Sequence, residues 1–274
     1  MALPLPTLQV RSSAGLSFLT DGPLFEATGV RMGFTRREGG ASEAPFDSLN
    51  LGTHVGDSPE AVRENRERLL RAAGLPDARL LALNQVHGSL VLLLDEPGED
   101  AFRSVAAVAQ EGADGAAISV PNLCALLCFA DCVPVVVVSP SGAFAVAHAG
   151  WRGALAGIPA GAVEAVARLD AGRGLAADPG QYNAYIGPHI MAECYEAPDL
   201  VPRFVERYGA ACAAGQGHLD LQAAVRASLT EAGVGPARIA EAGECTACHT
   251  DRYFSYRASG GRCGRHAAFA GRKE

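Results

Sequence analysis

Residues 123–150, LCALLCFADCVPVVVVSPSGAFAVAHAG, contain three closely spaced apolar runs that indicate the fold of the whole chain. The runs at 123–129, 133–138 and 143–148 each have the length of a β-strand, and polar or glycine-containing turns separate them. The run at 133–138 is almost continuously aliphatic, which is typical of a strand covered on both faces. This stretch therefore predicts central strands that are buried between other layers.

Apolar periodicity and turn residues predict further elements on both sides of this stretch. Additional strands are predicted at residues 30–35, 80–83, 90–94, 116–119, 182–186 and 253–256. Helices are predicted at 59–73, 199–208 and 221–232, and another ends at residue 169 and begins at Ala154 or Pro159. Ser58 and Gly74 are expected to bound the helix at 59–73, and Asp220 caps the one at 221–232. The elements together predict a mixed α/β (α+β) domain with central strands and flanking helices.

The chain length of 274 residues and the absence of a linker-like segment favour one large domain. We assign residues 26–274 to a single catalytic domain. Residues 1–25 are predicted to form a peripheral N-terminal segment, because Pro4 and Pro6 block a helix start. A chain of this size buries about 70–75% of its unfolded surface, so its core does not depend on disulfides.

Charge and cysteine content exclude several classes of protein. The net charge of −7 and the lack of a dense Lys/Arg run argue against nucleic-acid binding and against binding to an anionic membrane surface. The first 22 residues lack the basic start and unbroken apolar centre of a signal peptide. Eight cysteines in such a chain are predicted to be reduced, and a cytoplasmic location follows. The sequence does not define an oligomeric state.

Three side chains with metal-binding atoms, His87, Cys132 and His148, lie where apolar strands give way to turns. Two imidazoles and a thiolate suffice to hold one zinc ion with a coordination position left open. A lone histidine is more often structural and a lone cysteine is usually a small core residue, so their joint occurrence carries the prediction. The neighbouring Asp131 and Gln85 are predicted to orient the ligands or a bound water.

Longer motifs surround these residues in a fixed order. They are SLNLG (48–52), HVGD (54–57), NQVHG (84–88), ADG (113–115), ADCVPV (130–135), HAGWRG (148–153), IGP (186–188), CYE (194–196), CT (245–246) and FSYR (254–257). With these motifs the chain resembles, over residues 30–269, the YfiH-like laccase-domain family. Members of that family were first described as multicopper polyphenol oxidases and later as zinc-dependent purine nucleoside phosphorylases. The chain departs from the family pattern at Ala258 and at Cys263, which precedes a late Gly-Arg pair.

The resemblance implies a layered αββα sandwich and a zinc ion bound by His87, Cys132 and His148. It also implies phosphorolysis of adenosine, inosine and S-methyl-5′-thioadenosine, with adenosine deaminase as a second activity. The partners are then small purine nucleosides and phosphate.

Phosphorolysis requires a phosphate site, and the planar guanidinium of arginine pairs with two phosphate oxygens at once. The candidates are Arg36, Arg152 and Arg257, of which Arg36 and Arg257 are preferred. Each could equally be a solvated surface arginine. Asn50 is a candidate for holding a ribose hydroxyl, and a role as a turn residue is equally consistent with the sequence.

Other functions remain open at this point. A Cys-His-His copper site is conceivable, and copper competes well for such ligands, but none of the seven histidines forms a His-x-His pair typical of multinuclear copper clusters. A thiol hydrolase would use Cys132 as nucleophile and His148 as base, and leaves His87 without a role. A binding module without catalysis is a third alternative.

Two further patterns in the sequence bear on cofactors. Cys245, Cys248 and His249 spell a c-type haem motif, which we reject for lack of an export signal; a separate zinc there lacks an obvious fourth ligand. No nucleotide-binding glycine loop is present, so ATP and NAD are not indicated.

Overall fold

The computed structural model describes residues 2–273 and contains twelve strands and seven α-helices in that range. The strands are β1 (Gln9–Ser13), β2 (Leu16–Thr20), β3 (Val30–Thr35), β4 (Arg79–Ala82), β5 (Val91–Leu94), β6 (Gly115–Ile118), β7 (Leu123–Phe129), β8 (Val133–Val138), β9 (Phe144–Ala149), β10 (Asn183–Ile186), β11 (Ile239–Glu241) and β12 (His266–Arg272). The helices are α1 (Gly22–Thr28), α2 (Pro59–Ala73), α3 (Glu99–Glu111), α4 (Trp151–Leu155), α5 (Ile158–Gly172), α6 (Val201–Tyr208) and α7 (Leu221–Glu231).

The strands form two six-stranded sheets that pack face to face. The first has the order β1-β2-β3-β12-β7-β4 and the second the order β11-β10-β8-β9-β6-β5. Phe34 and Leu127 of the first sheet share a buried core with Val136 and Val146 of the second. Helix α2 covers the outer face of the first sheet, and α5 and α7 cover that of the second. The predicted single-domain αββα sandwich is therefore confirmed.

The three strands predicted within residues 123–150 are confirmed as β7, β8 and β9. Every residue of these strands is buried, because helices and the opposite sheet cover both faces. Strand β7 belongs to the first sheet, whereas β8 and β9 pair antiparallel in the second. The short turn at residues 130–132 consequently crosses from one sheet to the other.

The predicted helix boundaries follow from local capping. The Ser58 hydroxyl accepts a hydrogen bond from the Ala61 amide at the start of α2, and Gly74 ends this helix in the left-handed conformation (φ +76°). The Asp220 carboxylate likewise accepts from the Ala223 amide at the start of α7. Pro159 lies in the first turn of α5, which the short helix α4 precedes. In the described range, no helix is both long and apolar enough to cross a bilayer.

The late strand predicted at residues 253–256 is wrong. This segment forms turns, and the late strand is β12, which pairs antiparallel with both β3 and β7 in the middle of the first sheet. Its residues HAAFAGR are mostly small and have weak β propensity, so its long-range partners decide its conformation.

Several N-terminal elements were not predicted, namely β1, β2 and α1, and helix α3 was also missed. Within the segment expected to be peripheral, β1 is exposed at the edge of the first sheet. Leu16, Phe18 and Leu24, however, belong to the core, and each has at most 1% of its surface exposed.

The sheet topology brings several strand ends together along one edge of the sandwich, namely the edge at which strands begin and end. Strand β4 runs parallel to β7, so both end at this edge, where the antiparallel β12 begins. In the second sheet β9 ends at the same edge and β8 begins there, directly after the crossing turn. The loops at this edge carry the residues of the candidate site.

We expect Phe34→Ala to lower the free energy of unfolding by about 3–5 kcal/mol, because a fully buried phenyl ring between the two sheets would be replaced by a cavity. Urea denaturation measures this change. The control Val10→Ala removes an apolar side chain that is 52% exposed on β1, and we expect it to cost less than about 0.5 kcal/mol. Equal losses in both variants would contradict a core between the sheets.

Candidate metal centre and substrate cavity

His87, Cys132 and His148 converge at this edge of the sandwich. Their ligand atoms all lie within 4.8 Å of one another, and the Cys132 Sγ is 3.9 Å from the His87 Nε2. The two imidazole rings meet edge to face with centroids 4.8 Å apart. Residues that are 45 and 16 positions apart in sequence therefore form one cluster that could hold a metal ion.

The buried carboxylate of Asp114 holds both histidines in place. Its Oδ1 accepts hydrogen bonds from the His148 Nδ1 (2.8 Å) and the His87 amide (2.9 Å). Its Oδ2 accepts from the amides of Gly88 (2.7 Å) and Val86 (3.2 Å). With Nδ1 used in this way, the Nε2 of His148 is the ligand atom available to the cluster.

Cys132 contributes the sulfur from the turn between β7 and β8. Burial would by itself raise the pKa of this thiol, but the adjacent rings of His148 and His87 outweigh burial and lower it to about 6. The same thiolate, together with Asp114, raises the pKa of His148 against the opposing effect of its burial. The thiolate is therefore populated at neutral pH, and the thiolate is the form that binds metals.

A cavity of about 410 Å³ opens directly above this cluster. Its volume lies in the range of small-molecule sites. Four kinds of group line it: the cluster itself, two aromatic rings, two guanidinium groups, and several smaller or polar side chains. The lining residues are His54, Gln85, His87, Cys128, Ala130, Asp131, Cys132, His148, Ile190, Tyr195, Tyr256, Arg257 and Arg265.

Asp131 and Gln85 border this cavity, but their polar atoms are engaged by the protein. The Asp131 carboxylate accepts from the Thr246 hydroxyl and from the Arg257 amide, each at 2.7 Å. The Gln85 amide group makes two hydrogen bonds of 2.8 Å with the backbone of Cys128. Both residues thus fix the loops that carry the cluster.

The candidate arginines differ in position. Arg257 lines the cavity. Arg36 does not line it, and its guanidinium lies 3.7 Å from the carboxylate of Glu244, which is also outside the lining. Arg152 also lies outside the lining, with its guanidinium 4.4 Å from the centroid of the Trp151 ring.

Asn50 is fully buried and does not line the cavity. Its Nδ2 donates to Asp57 and to the Gly52 carbonyl, and its Oδ1 accepts from the amides of Gly52 and Arg265. The structure therefore gives Asn50 the role of a turn residue that ties two loops together, and does not bring it to the ribose position predicted from sequence.

Several residues of the cluster and the cavity had no role predicted from the sequence. Asp114 occurs in the ADG motif and Arg265 in the late Gly-Arg pair, so both were visible but had no assigned role. The rings of Tyr195 and Tyr256 were quoted only as motif members. His54 also faces the cavity; burial and, next, the charge of Arg265 lower its pKa, so that its imidazole is neutral at pH 7.

Comparison with known families gives a match over residues 31–273 to the multi-copper polyphenol oxidoreductase laccase family. The chain belongs to this family. The family description suggests a metal centre, and the cluster of two histidines and one cysteine is a candidate for it.

Named relatives of this laccase-family chain are similar over most of their length. It is 39% identical to a purine nucleoside phosphorylase of Streptomyces coelicolor, over 84% of this chain and 90% of that one. It is 36% identical to the purine nucleoside phosphorylase YlmD of Geobacillus stearothermophilus, over 90% and 91% of the two chains. The crystal structure of this YlmD aligns with a TM-score of 0.81, 31% identity and full coverage of both chains. The YfiH protein of Bacillus licheniformis aligns with a TM-score of 0.81 and 30% identity, over 96% of this chain and 99% of that one.

We expect Asp114→Asn to lower the affinity for Zn²⁺ about 10- to 100-fold, because the amide replaces an acceptor oxygen by a donor that faces the backbone amides or the His148 Nδ1. Competition with a chromophoric chelator measures this affinity, and circular dichroism verifies the fold. Asp95→Asn makes the same change in charge at an exposed carboxylate and serves as control. An unchanged affinity in Asp114→Asn would contradict the supporting role of the carboxylate.

Proposed function

We propose that this laccase-family protein is a zinc-dependent purine nucleoside phosphorylase. Its substrates are adenosine, inosine and S-methyl-5′-thioadenosine, and deamination of adenosine is a side activity. The observation that carries the proposal is a single cavity that joins the His-Cys-His cluster to two guanidinium groups and two aromatic rings. The names of the relatives support the same reaction class.

The cluster fits a zinc ion in its donor set and spacing. Two ligands in a tetrahedral arrangement with bonds of about 2.1 and 2.3 Å lie about 3.6 Å apart, close to the 3.9 Å between the His87 Nε2 and the Cys132 Sγ. Gly150 leaves room beside them, since a Cβ at this position would lie 2.9 Å from the His87 ring and 3.2 Å from the sulfur. Three protein ligands are also the number typical of catalytic zinc, which keeps one position open.

The zinc ion, when bound, supplies a Lewis acid that can polarise a purine substituent or activate water. The protein keeps this site in one geometry through Asp114, which fixes the orientation of the His148 ring. Asp131 and Gln85 act as positioning residues, because one anchors the Arg257 backbone and the other fastens the loop before His87 to β7.

Arg257 and Arg265 hold the phosphate. Within residues 2–273, no carboxylate lies within ion-pair distance of either guanidinium, although both line the cavity. Two positive groups without an anionic partner favour binding of an anion in this enclosed space. Arg36, by contrast, already has a carboxylate partner, since Glu244 lies 3.7 Å from its guanidinium.

The purine and the ribose occupy the remaining space. Tyr195 and Tyr256 offer aromatic surfaces for the purine, and the neutral His54 can exchange a hydrogen bond with a hydroxyl. In phosphorolysis a phosphate oxygen forms a bond to the ribose C1′ while the bond from C1′ to the purine nitrogen breaks. The bonding electron pair leaves with the purine, and the purine takes up the proton that the hydrogen phosphate loses, which gives free purine and ribose 1-phosphate.

A thiol hydrolase is the second candidate, and one specific observation favours it. Cys132, His148 and Asp114 lie in the order of a nucleophile, a base and an orienting acid, and the pKa of the Cys132 thiol is lowered to about 6. This alternative leaves His87 unused. A metal-free protein that is active and inhibited by thiol alkylation would support it.

The copper oxidase alternative has less support from the ligands. In the described part of the chain, no other His, Cys, Asp or Glu joins the three-residue cluster. A single copper site with these donors typically adds a weak axial methionine, and neither Met32 nor Met191 lines the cavity. One copper ion can bind this cluster, but a multinuclear centre for the reduction of dioxygen needs more ligands.

We expect the metal-loaded protein to convert adenosine and inosine to free purine and ribose 1-phosphate only when phosphate is added, as followed by mass spectrometry. Cys132→Ala should lose both the zinc and this activity while circular dichroism remains unchanged, because one of three ligands is removed. Cys124→Ala, at a core position outside the cavity, should keep both. Free purine formed without phosphate would indicate a hydrolase instead.

We expect Arg265→Met to lower kcat/KM for phosphate about 10- to 100-fold, the effect of removing a hydrogen bond to a charged group. Steady-state kinetics at varied phosphate concentration measures this effect. Arg36→Met removes the same charge outside the cavity and is the matched control; Glu244 then keeps its 2.9 Å pairing with Arg252. An equal decrease in kcat/KM for phosphate in the two variants would contradict the assignment of Arg265 to the phosphate site.

A further inference from the structure

A second group of metal-binding side chains, which consists of three cysteines, lies outside the proposed catalytic cluster. The Sγ atoms of Cys194, Cys245 and Cys248 all lie within 4.8 Å of one another, and those of Cys194 and Cys248 are 3.4 Å apart. All three cysteines are free thiols. None of them lines the substrate cavity, so the proposed phosphorylase reaction does not use them.

The spacing of these sulfurs is that of metal ligands. Two thiolates on one tetrahedral zinc ion, with Zn–S bonds of about 2.3 Å, lie about 3.8 Å apart, and a covalent disulfide brings them to about 2.05 Å. The separation of 3.4 Å is much closer to the first value than to the second. Cys245 and Cys248 also have the C-x-x-C spacing of a zinc-binding turn, and this turn is closed by a 3.0 Å hydrogen bond from the His249 amide to the Cys245 carbonyl.

The surroundings of Cys245 suit a thiolate ligand. The Met191 amide donates a hydrogen bond of 3.4 Å to its Sγ, and amides that donate to sulfur are common around metal-bound thiolates. Cys194 follows on the same loop, where its amide donates to the Met191 carbonyl at 3.0 Å. The sulfur of Cys194 therefore comes from a second turn, which has a backbone hydrogen bond of its own.

Both turns belong to segments without long regular secondary structure; the turn that carries Cys194 forms part of the cavity wall, and the turn that carries Cys245 contacts a residue of that wall. Tyr195, next to Cys194, lines the cavity, and the Cys194 carbonyl accepts from the Arg257 guanidinium at 3.4 Å. Thr246, next to Cys245, donates to Asp131. A crosslink between these turns would fix the wall that carries Tyr195 and Arg257.

We propose that Cys194, Cys245 and Cys248 form a second metal site, which binds one thiophilic divalent cation of the zinc type. The three thiolates supply three ligands, and the fourth position faces solvent on the side of the exposed Cys248. The cation has a structural role, because it joins the 191–196 turn to the 245–249 turn. The site is independent of the reaction that the cavity carries out.

The experiment is a titration of the full-length, metal-free and reduced protein with Cd²⁺, followed by thiolate-to-metal charge-transfer absorption. We expect the wild type to bind about two equivalents, and Cys132→Ala to keep about one equivalent with most of the absorption, since three of four ligating thiolates remain. Cys248→Ser should lose about one equivalent and the larger part of the absorption. Ala247→Ser adds a hydroxyl to the same turn without removing a sulfur, and it should behave like the wild type.

The outcomes separate this proposal from the proposed function, because no nucleoside is turned over. Identical Cd²⁺ binding by the wild type and Cys248→Ser would overturn the second site and leave the catalytic cluster unaffected. Binding of only one equivalent by the wild type, lost in Cys132→Ala, would overturn it as well. A second variant, Cys194→Ser, guards against a local folding defect, and we expect it to reproduce the loss seen with Cys248→Ser.

Discussion

The carboxylate of Asp114 is the group on which the candidate metal centre depends. A carboxylate without solvent contact needs several hydrogen-bond donors to remain charged, and here three consecutive backbone amides and the His148 Nδ1 provide them. The hydrogen bonds to this one charge fix the conformation of residues 86–88 and the orientation of the His148 imidazole, which lies 34 positions after Asp114 in the chain. The two histidines are thus organised by a residue that does not belong to the ligand set.

The arrangement of the two sheets explains why the third ligand comes from a turn of only three residues. Strands β7 and β8 lie in opposite sheets, so residues 130–132 must cross the core at the edge where β9 ends. Asp131 has a positive φ of 93° and His87 one of 61°, which is unfavourable for non-glycine residues. The hydrogen bonds of Asp131 to Thr246 and to the Arg257 amide, and of the His87 amide to Asp114, offset this cost.

The family name and the names of the relatives describe different chemistries, and the ligand set bears on both. One thiolate and two imidazoles form a set of donors that can bind either zinc or a single copper ion. The cavity adds what an oxidase does not need, namely the guanidinium groups of Arg257 and Arg265, which have no ion-pair partner among residues 2–273, beside two tyrosine rings. This combination of an anion site, aromatic walls and a metal cluster is the basis of the phosphorylase proposal.

The sequence alone determined the mixed α/β class of the domain and the buried strands around residues 123–150, and it singled out His87, Cys132 and His148 as candidate metal ligands, because apolar period, turn residues and donor atoms are local properties. Tertiary structure decided the rest. Strand β12 has weak β propensity and forms because β3 and β7 flank it. Arg36 resembles Arg265 in sequence terms, but Glu244 pairs with the first and no carboxylate in the described chain pairs with the second. Which charges meet depends on contacts between distant segments, and such contacts leave no local pattern.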